Sequence, residues 1–225
     1  MEREVRVPLP LIPVVIAIVA LVAAAGGIAA VLTRLGKKVA GQRVAILGRQ
    51  QVGKTSLLHF LREGKVPDQT WDTVDPARGG KFPMVVGGEL VDFMVPKDLP
   101  GNDGLGFADW KDAFSGADYV WYLFRSDLIA QGNSVEIDMV KQDLDMFKGW
   151  MDAEKSKCPK IILIGTWADK DPGFRQNSGK FKHVVGLASP IKIGSVKLNN
   201  AGLVVGGLIT NTDASALVKS LGARL

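Results

Sequence analysis

The chain has a single cysteine, Cys158. An internal disulfide is therefore excluded, which suits a reducing compartment, and Cys158 reads as a packing residue. Histidine is almost as scarce. His183 has no cysteine or paired carboxylate at ligand spacing, so no structural metal is expected there. His59 reads as a helix-face residue and His183 as part of a basic loop, "GKFKHVVG". Internal repeats and low-complexity tracts are absent from Gln42 onward. Charge is absent from a long stretch: no Lys, Arg, Asp or Glu stands between Arg6 and Arg34.

About 20 apolar residues cross the hydrocarbon layer of a bilayer as a helix, so this uncharged stretch is long enough. Pro8, Pro10 and Pro13 crowd its leading edge, and proline is tolerated in a first helical turn. The expectation is a transmembrane helix at residues 13–34, after a flank at 1–12 and before a linker at 35–42. A signal-peptide core is shorter, at roughly 7–15 residues, although "AAAGG" resembles a cleavage site. A buried core helix would show polar positions on one face, and none is present. Arg3 and Arg6 precede the run, whereas Arg34, Lys37, Lys38 and Arg43 follow it. The positive-inside bias then makes the chain single-pass with residues 43–225 in the cytoplasm. The spacings Ala23–Gly27 and Gly26–Ala30 allow close helix approach, hence a possible homo-oligomer.

The membrane flanks account for much of the basic charge. Five of the 28 Lys/Arg and two of the 23 Asp/Glu fall within residues 1–42, which leaves 23 basic and 21 acidic residues beyond. So balanced a domain gives no electrostatic ground for a nucleic-acid partner.

From residue 43 the apolar pattern alternates between strand-like and helix-like. "RVAIL" (43–47) reads as a strand and Lys54–Arg62 as a helix. "FPMVV" and "ELVDFMV" flank Gly87-Gly88 as a hairpin. "ADYVWYLF" (117–124) and "KIILIG" (160–165) read as buried strands, with a helix over 135–154 between them. "IKIGSVKL" (191–198) reads as a strand running into a loop. "GLVVGGLI" fits either a strand or an apolar helix, and 213–221 reads as a short closing helix. The order predicts an α/β domain with a mainly parallel sheet, crossover helices and one hairpin. Trp110, Trp121 and Trp150 are expected in the core. The acidic run Asp138–Asp145 reads as a solvated helix face.

Chemistry concentrates at Gly48-Arg-Gln-Gln-Val-Gly53-Lys54-Thr55, which fits G-x-x-x-x-G-K-[ST] between a strand and a helix. Glycines permit backbone angles and approach distances that a side chain forbids. Backbone N–H groups of the loop and the positive end of the following helix surround phosphates. Gly48, Gln51, Val52, Gly53, Lys54, Thr55 and Ser56 are the candidate contacts. Lys54 would reach the β- and γ-phosphates, and the Thr55 hydroxyl would ligate Mg²⁺.

Further motifs follow in order: Asp98-Leu-Pro-Gly101 after one strand, Thr166-Trp-Ala-Asp169 after another, then Ser195-Val-Lys197. With the glycine loop, their spacing over roughly Arg43–Leu198 resembles small GTPases of the Ras/Arf superclass. A membrane helix ahead of such a domain is similar to the arrangement of the signal-recognition-particle receptor β subunit. The resemblance implies the P-loop GTPase fold, GTP or GDP as ligand, and Mg²⁺. It implies that Asp98 and a loop threonine, Thr73 in preference to Thr70, join Thr55 around the metal. Gly101 would sense the γ-phosphate. Asp169 would accept hydrogen bonds from guanine N1–H and its exocyclic amine, Thr166 would belong to the same nucleotide-binding motif, and Ser195 and Lys197 would flank O6. Two positions depart from the family pattern. Thr166-Trp167 replaces the usual Asn-Lys, and Asn102 stands where many of these proteins carry a water-orienting glutamine. Asparagine is one methylene shorter, so intrinsic hydrolysis is expected to be slow and dependent on a partner or on self-association. Arg49 and Arg125 are candidates for charge at the transition state, against a simpler reading as solvated loop residues. Trp71 reads either as a partner contact or as a cover for the sheet edge.

The resulting expectation is a membrane-anchored GTP-binding switch that recruits or assembles a protein partner at the cytoplasmic face. A membrane-bound P-loop ATPase would carry a hydrophobic strand ending in Asp-Glu, and none occurs. A non-catalytic, nucleotide-stabilised membrane assembly module is the other alternative.

Overall fold

The computed structural model describes residues 39–67, 78–97, 99, 107–154 and 158–225. The expected membrane helix at 13–34 and its flank lie outside the described residues. Among the described residues, no helix is long and apolar enough to cross a membrane.

Six strands form one sheet: β1 Val39–Leu47, β2 Arg78–Val86, β3 Glu89–Lys97, β4 Tyr119–Arg125, β5 Lys160–Thr166 and β6 Gly202–Val205. Their order is β2-β3-β1-β4-β5-β6. Every pairing is parallel except that of β2 with β3. The α/β class, the mainly parallel sheet and the single hairpin are as expected from the sequence. The hairpin turns on Gly87 and Gly88, with φ of 59° and 90°. A two-residue turn that matches strand twist needs two positive φ angles, which glycine adopts without strain.

Eight helices cover the sheet within the described residues: α1 Lys54–Glu63, α2 Phe107–Ser115, α3 Ser126–Ala130, α4 Ser134–Ala153, α5 Pro172–Gln176, α6 Ser178–Leu187, α7 Ser189–Lys197 and α8 Asn211–Gly222. Successive strand residues point to opposite faces, and both faces are covered, so β4 and β5 are apolar almost throughout. On one face Val44, Ile46, Trp121, Leu123 and Ile164 meet Leu57, Leu58 and Leu61 of α1 and Ala214, Leu217 and Leu221 of α8. On the other, Ala45, Leu47, Tyr122, Phe124 and Leu163 meet Phe114 of α2, Leu144 and Phe147 of α4, Val185 of α6 and Ile191 of α7. Trp110 and Trp121 are buried, as expected, and Trp150 packs against the core from a half-buried position.

Three segments differ from the sequence expectation. β1 starts at Val39, so residues 39–42, expected as linker, are already strand. The basic loop around His183 is helix α6, started by Asn177, whose side chain accepts the Lys180 N–H. Residues 191–198, expected as a strand, lie mostly in α7, which has a proline in its first turn. The written alternation Ile-Lys-Ile-Gly-Ser-Val-Lys-Leu suggests a period of two. The positions that are buried are Ile191, Gly194 and Leu198, a spacing of three and four that belongs to a helix.

Candidate functional site

Parallel strands deliver their loops to one end of the sheet, and four of those loops converge. β1 ends at Leu47 and the chain turns through Gly48, whose φ is +148°. A Cβ there would lie 2.5 Å from the Leu123 carbonyl oxygen, so only glycine fits. Gln51 (φ 60°) and Gly53 (φ 90°) complete the left-handed turns that lead into α1. The Lys54 ammonium is almost wholly buried, and it donates to Gly48 O at 2.8 Å and Arg49 O at 2.9 Å. It therefore crosses the mouth of its own loop. Thr55 is half-buried and Ser56 buried in the first turn of the helix.

The loop after β5 is tied directly to this one. The buried Thr166 hydroxyl stands 2.8 Å from Val52 O and 3.0 Å from Phe124 O, with one proton between two carbonyls. Trp167 adopts φ 59°, and its indole N–H donates to Gln51 O at 2.9 Å. The Arg125 guanidinium lies 4.5 Å from the centre of that indole, in cation–π range, and forms two hydrogen bonds to Asp127 at 2.8 and 2.6 Å. Trp167 is thus hydrogen-bonded against the glycine loop.

Asp169 follows in a short 3-10 turn and is buried. Its Oδ2 accepts the Ile209 N–H at 3.0 Å. Its Oδ1 is buried with no hydrogen-bond partner among the described residues. The loop after β6 wraps this carboxylate closely, because a Cβ on Gly207 would lie 2.2 Å from Oδ2. Leu208 of the same loop lies against Gly53. A cavity of about 640 Å³ opens beside Asp169, lined in part by Arg175, Lys182, Gly206, Gly207 and Asp213.

Ser195 and Lys197 are held elsewhere. On α7, the Ser195 hydroxyl donates to Ala201 O at 2.7 Å, and Lys197 pairs with Asp145 of α4 at 2.5 Å. The loop that meets Asp169 is instead Gly206–Ile209. That displacement follows from the helical state of 189–197: the strand whose end reaches the site is the next one, β6. The glycine pair after an apolar run was the available signal for it. Asp98, Gly101, Asn102, Thr73, Thr70 and Trp71 lie outside the described residues. Among the described residues, no cluster of three or more His, Cys, Asp or Glu is arranged to hold a metal ion.

The acidic run of α4 is not uniformly solvated. Asp143 is completely buried. Arg49, from the glycine loop, reaches it with Nε at 3.1 and 3.0 Å from its two oxygens and with a terminal nitrogen at 2.6 Å. The Tyr122 hydroxyl donates to the same carboxylate at 2.9 Å. A bidentate arginine supplies the charge and the paired donors that a buried carboxylate requires. Asp143 follows Val140 by three positions, on the inward face of the helix, which places it with the core rather than the solvent. Burial and then the Asp143 charge push the Tyr122 phenol well above its ordinary pKa. Burial also raises the Glu136 carboxyl, against the lowering effect of the Arg125 backbone N–H that it accepts at 3.0 Å. Neither protein-family models nor curated proteins give a match to this chain.

Proposed function

We propose that the chain is a P-loop GTPase tethered by a membrane helix at residues 13–34. It works as a GTP-dependent switch with slow, partner-assisted hydrolysis, and recruits or assembles a protein partner at the cytoplasmic membrane face. The observation that carries this reading is the junction of two loops. The Thr166 hydroxyl and the Trp167 indole stand at hydrogen-bond distance from carbonyls of the Gly48–Thr55 loop, which supports reading that loop and the Asp169 carboxylate as parts of one site.

The parts fit a guanine nucleotide. A buried acceptor without a donor costs about 1–3 kcal/mol, and Asp169 Oδ1 is such an acceptor. Guanine offers N1–H and an amine side by side, which a carboxylate accepts together; adenine offers no such pair on that edge. At the other end, Gly48 leaves room for a phosphate to approach the backbone, and Lys54 would exchange two carbonyls for phosphate oxygens. Mg²⁺, held by Thr55 with Asp98 and Thr73, would neutralise phosphate charge. Arg49 is engaged by Asp143 and Arg125 by Asp127. Both candidate cationic groups are thus committed within the fold, which supports a need for a partner to complete hydrolysis.

The test is displacement of a fluorescent GDP from the full chain in detergent by unlabelled GTP, ATP or XTP. GTP alone is expected to compete. In Asp169→Asn, the carboxamide N–H suits the 2-oxo group of xanthine, so preference is expected to pass to XTP by tenfold or more, about 1.4 kcal/mol. Displacement by ATP as effective as that by GTP would favour the ATPase alternative and refute this one.

A further inference from the structure

Helices α6 and α7 carry side chains that a globular surface ordinarily hides. Val184, Leu187, Ile193 and Val196 are 44, 55, 52 and 66% exposed. They are not scattered. Lys180, His183, Val184 and Leu187 follow one another at helical spacing along the outer side of α6. Ser189, Lys192, Ile193 and Val196 do the same along α7. The inner sides, with Phe181, Val185, Ile191 and Leu198, are buried in the core. Each helix is therefore packed on one side and apolar again on the other, and only Ala188 separates the two. Exposed apolar side chains aligned along two successive helices are the kind of surface that serves as an interaction site.

Within this segment the charge has one sign. No Asp or Glu occurs between Asp171 and Asp213, whereas Arg175, Lys180, Lys182, Lys192 and Lys197 do. Lys197 is neutralised by Asp145 across the α4–α7 contact. Lys180 and Lys192 on this face are exposed and form no ion pair with any described residue; Lys182 faces the cavity beside Asp169 instead. Apolar side chains interleaved with unpaired lysines on one face are the pattern of a helix that lies in the headgroup layer. There the apolar groups reach the acyl boundary and the ammonium groups meet lipid phosphates.

The uncharged run ends at Arg34 and β1 is already paired at Val39, so the chain between those residues spans at most about 18 Å, and a membrane helix ending there would keep the domain close to the bilayer.

We infer that the outer face of α6 and α7 is a docking surface for an anionic lipid bilayer, a second membrane contact beside the tether. The inference rests on the membrane part of the proposed function for its short tether, and on the composition of the face for the lipid it selects. Docking would give the domain a fixed orientation on the membrane.

The test uses the full chain in lipid nanodiscs, with Cys158→Ser and an environment-sensitive probe on Leu187→Cys. In discs containing phosphatidylglycerol the probe emission is expected to shift to the blue and become accessible to headgroup-bound quenchers. In pure phosphatidylcholine it is expected to stay as in detergent. Lys180→Glu with Lys192→Glu is expected to weaken docking at least about 25-fold, at roughly fivefold for each lysine lost, with nucleotide displacement unchanged. Equal emission in both lipids overturns the inference. So does a shift that follows protein concentration instead of lipid, which would mean a second copy, or one produced by RNA without lipid. If the chain fails to enter discs, the tether reading fails by itself, and sedimentation with phosphatidylglycerol vesicles then decides the surface: binding supports it and its absence overturns it.

Discussion

The strand-end site and the outer face of α6–α7 invert the usual partition in opposite directions. At the site, charged groups are inside: Lys54, Asp143 and Asp169 are buried. On the outer face, Val184, Leu187, Ile193 and Val196 are outside. Folding alone rewards neither arrangement, since buried charge costs several kcal/mol per ion unless compensated and exposed apolar area forfeits about 25 cal/mol per Å². The difference lies in how each cost is met. The site meets most of it internally, through arginine, tyrosine and backbone partners, and leaves one carboxylate oxygen over. The face meets none of it internally. In the proposed reading the first is a cradle for a small ligand and the second a face for the bilayer.

Breaking the internal compensation should give the largest effect. Asp143→Ala leaves Arg49 and the Tyr122 hydroxyl without their shared acceptor, and loss of one member of a buried pair costs about 3–5 kcal/mol. Denaturant unfolding is expected to show that loss, together with weakened nucleotide retention, because Arg49 O is one of the two carbonyls that hold Lys54. A loss below about 1 kcal/mol would mean that the network is incidental.

A smaller effect should come from Glu136. Its carboxyl is raised in the folded state, chiefly by burial, so the native protein holds that proton more tightly than the unfolded chain. Its contribution is fully present below the ordinary glutamate range and is lost as pH rises through the raised native value. The free energy of unfolding measured across that interval should decline with pH in the parent chain, and the decline should flatten in Glu136→Gln. A slope unchanged by the substitution would contradict the assignment.

The smallest effect is expected on the outer face. Leu187→Ser and Val196→Ser should each alter stability by no more than about 0.5 kcal/mol, as for ordinary surface positions. A cost of 2 kcal/mol or more in thermal unfolding would place those side chains in the core and dissolve the contrast between the two regions.

Much of the sheet was legible because its residues are read by two neighbours at once. β4 and β5 are buried on both faces, and Gly87-Gly88 permits little but a tight turn. The glycine loop was legible for a similar reason: Gly48 has no room for a Cβ. What stayed hidden depended on partners distant in sequence. Arg49 and Asp143 are 94 residues apart, and nothing local to "KQDLD" marks one aspartate as buried. Residues 191–198 misled because β-branched residues fall in step with lysines on the exposed side of α7, where no core contact imposes a helical spacing. Reading 191–198 as a strand puts Ser195 and Lys197 in a loop beside Asp169, where the structure has Gly206–Ile209. The departure at Trp167 was visible, but its hydrogen bond to Gln51 O required the left-handed turn that only the folded chain displays.

The central position of β1 also has a mechanical meaning. It enters the domain at Val39, runs between β3 and β4 with both neighbours parallel, and ends at the glycine loop about 30 Å away. A pull applied at residue 38 would therefore load two ladders of hydrogen bonds lengthwise, in shear, rather than unzip them one at a time. The strand that ends in the cradle is also the keel by which the domain would be held against drag.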